Sequence, residues 1–433
     1  MRKPVPYYVG VGALVLFAGI GLSIHWPTSV ERPSGDDARV PGRLAARGQA
    51  IPRIIHCRDK PLRVRPLPGL ENTVTEEQLV NVLCASLPYW SPPCVPGAIH
   101  ELKLWGRRFH FTTSMLGTER DGDALVRALL SDSECRAKTV TGDGSYLLDS
   151  PYGIRVVLHG TDDAEGYRAE SHYAQLLRML AEVDVPSDTA VATASGRTGT
   201  IKDIYQDAVL RYGTEAELDY IACALAYWHP PQRTWQDQFG DTHGFDELLV
   251  KLLSRGLGKG TCGGTHLPYA VVAILRVNEQ VPIISEEKRS AAIRWLTRLG
   301  HMLEERWSSS GGWDKTWTGD NSLRDRLMWG DNLLDRICIT GHHLEWMALA
   351  PLECRPSETV IRRAVQSLCA DVKSLPAMQY RSFKTLMPVS HAARALALFR
   401  GVDPFQLWLR YWNAGRLRRT ATGFVVRATG PNL

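Results

Sequence analysis

The sequence predicts a mainly α protein: an α/α toroid of antiparallel helical hairpins with one short β-hairpin, preceded by a transmembrane helix. Three observations carry this reading. Tyr7 to Ile24 is an uncharged run of 18 residues behind Arg2 and Lys3, just long enough to span a bilayer. From Ala169 onward nearly every segment repeats its apolar residues at a helical period. Short Gly- and Pro-punctuated loops separate these segments, which favours antiparallel neighbours.

Tyr7, Tyr8 and Trp26 flank the apolar run like interfacial anchors. No small-x-small cleavage site follows it, which favours an uncleaved signal anchor over a removed signal peptide. Residues 1–26 are therefore expected to be a membrane anchor. Arg2 and Lys3 favour a cytoplasmic N-terminus, although Arg32, Arg39 and Arg43 weaken the bias. The expected location is a single-pass protein of the bacterial envelope, its C-terminal domain on the non-cytoplasmic side.

Residues 27–70, rich in Pro, Gly and Arg, read as a linker that becomes ordered near Ile51. Residues 71–168 form an N-terminal helical part. "TVTEEQLVNVLCASL" opens it, with Thr73 or Thr75 as cap and Glu76 and Glu77 at the positive end of the helix dipole. "AIHELKLWG" and "DGDALVRALLSDSEC" continue it. Between Thr139 and His159, short apolar runs between Gly and Asp turns indicate the hairpin.

Residues 169–433 form the expected toroid body. "ESHYAQLLRMLAEV" sets Tyr173, Leu176, Leu177 and Leu180 on one side. "TEAELDYIACALAYW", "GFDELLVKLLSRGL" and "THLPYAVVAILRV" follow, then helices starting near Ser285 and Ser357. "TGHHLEW" and "PVSHAARAL" mark two further helix starts.

Composition narrows function. With a net charge of +5 over 433 residues and only "GRLRRT" clustered, no nucleic-acid footprint is visible. No P-loop, dinucleotide G-x-G-x-x-G or G-x-S-x-G elbow occurs, which disfavours ATP, NAD and α/β-hydrolase chemistry. Nine cysteines without a C-x-x-C pair argue against a zinc ribbon or a thioredoxin-type site. If the domain is exported, Cys84 and Cys94 could pair across "ASLPYWSPP".

Three constellations could carry chemistry. Cys262 and His266, four apart in "KGTCGGTHLPYAVV", combine two good zinc ligands at a helix start. A buried thiol and a turn-capping imidazole are the competing reading. His342 and Glu345 in "TGHHLEW" share a helical face and could work as an acid/base pair, against simple helix-start hydrogen bonding. His391 starts another helix. If inner helices open on one hollow centre, His266, His342 and His391 would converge at its mouth, and a three-histidine or Cys-His-His grouping there, with Cys262, His266 and His391 as the expected ligands, would hold zinc or iron. Ten of the thirteen tryptophans lie at or after Trp228. Trp313 and Trp317, with Asp314 between them and His343 downstream, are the candidate ligand contacts, with helix packing the alternative.

"KGTCGGTHLPYAVVAILRV", "RWSSSGGWDKTW" and "TGHHLEW" together resemble the α/α-toroid proteins related to squalene cyclases and protein prenyltransferases. "GGWDKTW" is similar to their recurring glycine-tryptophan stretch but lacks its glutamine. The resemblance covers about residues 169–400, and the whole chain also resembles membrane-anchored bacterial proteins of unassigned activity. It implies the toroid and neither activity. No D-x-D-D is present to protonate a triterpene precursor, and "DRIC" (Asp335 to Cys338) lacks the D-x-C spacing of the prenyltransferase zinc site.

Two functions are expected from these features. The first is a ligand-binding or scaffold domain at the envelope. The second is a metal-assisted enzyme acting in the toroid cavity on a glycan, peptide or lipid.

Overall fold

The computed structural model describes residues 55–67, 69, 71–88, 94–139, 144–158, 169–213, 217–259, 261–308, 311–319, 332–376, 383–420 and 423–427. All of them belong to one compact unit, residues 51–433. Its described part is mainly helical, with sixteen helices and five two-stranded antiparallel hairpins.

The helices are α1 (Glu76–Ala85), α2 (Val95–Trp105), α3 (Thr113–Leu116), α4 (Gly122–Leu129), α5 (Asp132–Lys138), α6 (Gln175–Glu182), α7 (Ile201–Leu210) and α8 (Asp219–Trp228). They continue as α9 (Phe245–Ser254), α10 (Thr261–Gly264), α11 (His266–Asn278), α12 (Glu286–Glu305), α13 (Asn332–Leu349), α14 (Glu358–Ser374), α15 (Phe383–Arg400) and α16 (Pro404–Asn413). The expected hairpin is present, Leu147–Ser150 against Gly153–Val156. Four more hairpins, each with strands of two to four residues, were not legible as alternation in the sequence.

Caps fall where the polar residues predict them. Thr75 and Gln78 form a reciprocal capping box on α1, and Ser285 accepts from Lys288 N–H at the start of α12. Cys94 caps α2 through its sulfur, and Cys84 and Cys94 are both free, buried thiols rather than a disulfide.

Burial sorts the helices into two layers. Every residue of α2 and of α8 is buried, as expected of helices surrounded by protein. α12 and α14 bury only one face. The buried helices touch in sequence: α2 packs on α6, α6 on α8, α8 on α11, α11 on α13, α13 on α15, and α15 on α2 again. Outside them, α7 lies on α6, α9 and α12 on α11, α14 on α13, and α1 on α15.

Residues 55–67 cross the C-terminal ends of this inner set as an extended strap. Arg58 and Leu62 donate backbone N–H groups to the carbonyls of Trp228 and Tyr227. Arg276 and Gln280 reach back to the carbonyls of Arg65 and Arg63. The stretch read as the end of a linker is thus fixed to the body.

Two helix starts differ from the sequence reading. α13 begins at Asn332 and α15 at Phe383, so Gly341 and Pro388 are interior to helices. Gly341 is there for contact with α15: a Cβ on it would lie 2.9 Å from the backbone nitrogen of Ala392. Gly341→Ala is therefore expected to cost about 1–3 kcal/mol through overpacking. Gly300→Ala, whose Cβ would meet its nearest atom at 3.4 Å, should cost much less. Urea midpoints of the two variants check this; equal midpoints would contradict the close-contact explanation.

The structure corrects the single-pass membrane reading, and with it the signal anchor and the envelope location. Among the described residues no helix is long and apolar enough to cross a membrane. The long helices bear charges at intervals, as α13 does with Asp335, Arg336 and Glu345. The proposed anchor, Tyr7 to Ile24, lies outside the described residues.

Candidate metal centre

The glycines of the "GTCGGT" loop serve a reversal that leads into α11. Cys262 (φ 48°, ψ 50°), Gly263 and Gly264 all take left-handed conformations, costly for a residue with a side chain. Gly264 also has no room: a Cβ would lie 1.5 Å from the carbonyl oxygen of Leu257. The turn presents the half-buried Cys262 toward His266, the first residue of α11.

There it meets α13. The candidate ligand atoms of Cys262, His266 and His342 all lie within 4.8 Å of one another. His342 Nδ1 donates to the carbonyl of Cys338 at 2.7 Å, one turn earlier. That bond leaves the Nε2 lone pair of a neutral His342 facing inward. His266 Nδ1 accepts from Arg178 at 3.3 Å, so its Nε2–H donates to His342 Nε2 at 2.9 Å. The two rings stand at 89° with centroids 4.5 Å apart.

A thiol neighbour and two further imidazoles surround the triad. The Cys338 thiol is the largest influence holding the Cys262 thiol well below its usual range; burial opposes it, and His266 and His172 add to the lowering. Burial opposes charge on His172, but the Glu217 carboxylate, 2.9 Å from its Nδ1, and Cys262 raise it to about 10. His266 is held well below its usual range by burial and by His342. His391 extends the cluster, its ring centroid 3.7 Å from that of His342.

Toward the C-terminal ends of the same helices lies a buried ion network. Arg178 binds Glu182 at 2.9 Å; Arg394 reaches Glu182 and Glu345, each at 3.1 Å. Tyr269 Oη donates to Glu182 and accepts from Arg394. Glu345 Oε1 also accepts from His391 Nδ1 at 3.1 Å, so this carboxylate joins the two layers. Burial resists its ionisation, but Arg394 and His391 hold it well below the usual carboxylate range. Below the network a cavity of about 540 Å³ opens, walled by the strap, Lys103, Glu182, Tyr269 and Arg394.

The expected site residues are redistributed. Cys262, His266 and His342 form the closest group, and His391 lies beside His342 with ring centroids 3.7 Å apart. His342 does not begin a helix, and Glu345 serves His391 and Arg394 instead of forming an acid/base pair with His342. Trp313 and Trp317 are fully buried and donate their indole N–H groups to the carbonyls of Leu303 and Gly263. They pack edgewise around the buried His343, which accepts from Trp346 at 3.1 Å. Asp314 closes its own turn by accepting from Thr316. None of Trp313, Asp314, Trp317 and His343 lines the cavity. His100, His172 and Cys338 were not read as site residues; His100 and Cys338 lie within buried stretches of α2 and α13, while the half-buried His172 precedes α6.

No family model, curated protein or solved structure matches the chain.

Proposed function

We propose that the chain is a metal-dependent enzyme built on an α/α toroid. In this reading α2, α6, α8, α11, α13 and α15 form the inner wall, and Cys262, His266 and His342 hold zinc at its centre. The convergence of one thiol and two imidazoles within 4.8 Å carries the proposal. Zinc bonds of about 2.0–2.3 Å place tetrahedral ligand atoms roughly 3.3–3.8 Å apart, so modest side-chain adjustment closes the site. Thiolate and imidazole are the ligand types zinc prefers, and a lowered Cys262 thiol supplies the thiolate. To bind through Nε2 as a neutral ligand, His266 would move its proton to Nδ1 and give up the Arg178 contact.

Three protein ligands leave a fourth position for water or substrate, the arrangement of a catalytic rather than a structural zinc. Bound there, zinc would polarise a carbonyl or lower the pKa of water. Glu217 orients His172 beside the metal, and Tyr220 Oη sits 3.1 Å from His266 Nε2. Cys262 is the partly exposed ligand while His266 and His342 are buried, so substrate approaches from the Cys262 side. A peptide, lipid or glycan fits this chemistry, which recognises the electrophile and not the carrier.

A ligand-binding role is the second reading, favoured by the charged cavity at the opposite end. Elemental analysis of the purified chain separates the two. Stoichiometric zinc, lost in Cys262→Ala and His342→Ala, is the expected result. A metal-free protein that takes up no zinc after incubation would remove the enzyme proposal.

A further inference from the structure

We infer that His100 and His391 hold a second divalent cation of the zinc class between their Nε2 atoms. The site goes beyond the Cys262 centre and shares no ligand with it.

Hydrogen-bond accounting fixes both tautomers. His100 Nδ1 lies 2.6 Å from the carbonyl oxygen of Pro96, one turn earlier on α2. A carbonyl only accepts, so Nδ1 carries the proton. His391 Nδ1 lies 3.1 Å from the Glu345 carboxylate, which also only accepts. Each neutral ring then presents a bare lone pair at Nε2, and the two Nε2 atoms face each other at 3.2 Å. Two acceptors make no hydrogen bond at that distance. The contact requires a cation between them, a proton or a metal ion.

Geometry favours the metal. Two nitrogens at the usual zinc distance of about 2.0–2.1 Å in a tetrahedral site are about 3.3 Å apart, which matches the observed separation. His100 is 2 % and His391 3 % exposed, so a cation between them is a buried charge, with the Glu345 carboxylate on His391 Nδ1 as its nearest compensation. The Nδ1 partners, a carbonyl on one ring and a carboxylate on the other, are those that orient ligating histidines. Glu345 supplies the orienting carboxylate and is itself held by Arg394. The His342 ring, 3.7 Å from that of His391, sets the two metal positions side by side. Two protein ligands would leave the remaining positions of the second ion to water or substrate.

The test uses the full chain, stripped with chelator and titrated with Co(II) and with Zn(II). Metal per chain is counted by elemental analysis, and the sulfur-to-cobalt charge-transfer band is followed. Wild type is expected to bind two equivalents, one with the sulfur band and one without. His100→Gln and His391→Gln should each bind one, with the band retained; Cys262→Ala should bind one without it. A wild-type stoichiometry of one, lost in Cys262→Ala, would overturn this inference and leave the Cys262 centre standing. One equivalent lost in His100→Gln but kept in Cys262→Ala would do the reverse. Circular dichroism confirms folding. Should both glutamine variants unfold, wild-type stoichiometry decides alone: two equivalents support the second site and one overturns it.

Discussion

Lys103→Met is expected to stabilise the protein at pH 7 by about 3 kcal/mol. Lys103 stands on α2, nine-tenths buried, and its Nζ has no hydrogen-bond partner among the described residues. Burial, followed by the nearby Arg178, pulls its pKa from 10.5 to about 8, while Glu182 and Glu345 act against the fall and Arg394 adds to it. Below pH 8 the lysine is charged in both the folded and the unfolded chain, and the full cost of burying it is present. Between pH 8 and 10.5 the unfolded chain holds more protons than the folded one, so stability rises with pH. Methionine keeps the unbranched shape and removes the charge, a type of exchange that often stabilises. Urea midpoints at pH 7 and pH 10 test both parts. The wild type should gain stability over that interval from this group and the variant should not. Equal midpoints for the two proteins at pH 7 would show that Lys103 carries a compensating contact.

Lys103 also shows what the sequence makes legible. It sits in "AIHELKLWG", a segment whose helical period is plain and whose ends are set by Pro96 and Gly106. The same holds for the capped starts of α1 and α12, where the capping partners are three residues apart. Local chemistry decides such features, so a local reading recovers them. The reading fails where the cause is distant. Gly341 reads as a helix breaker, but its meaning is the backbone of α15 fifty residues on. Pro388 reads as a boundary, yet α15 carries through it.

The candidate site divides the same way. Cys262 and His266 were legible because one loop holds both. Their partner at residue 342 and the ring at residue 391 were legible only as unusual histidines, and their roles depend on how α13 and α15 cross. His100 had no local signal beyond being polar in an apolar helix. Trp313 and Trp317, conspicuous in the sequence, bond their indoles to backbone carbonyls and hold the core around His343. Aromatic conspicuousness reports volume to be packed as readily as a ligand to be stacked.

Glu345→Ala is expected to be the most damaging single change in the core, lowering stability by about 3–5 kcal/mol. The carboxylate is fully buried and joins His391, through Oε1 at 3.1 Å, to the Arg394 guanidinium. Removing it leaves Arg394 with Glu182 and the Tyr269 hydroxyl, and strips His391 of the acceptor that orients its ring. Glu345→Gln keeps an oxygen for His391 and should lose less. The pH dependence follows from the direction of its shift. Because the folded carboxyl is held well below 4.5, its contribution is fully present above the unfolded value and fades as pH falls through the folded one. The wild type should therefore lose stability more steeply than Glu345→Ala in the acid limb. A second substitution separates charge from packing: Arg394→Met in the Glu345→Ala background should recover part of the loss, since the guanidinium left short of one carboxylate goes with it. Additive losses in that double variant would mean that Glu345 acts by filling space. Recovery would establish the carboxylate as the electrostatic link between the histidine layer and the charged layer beneath it.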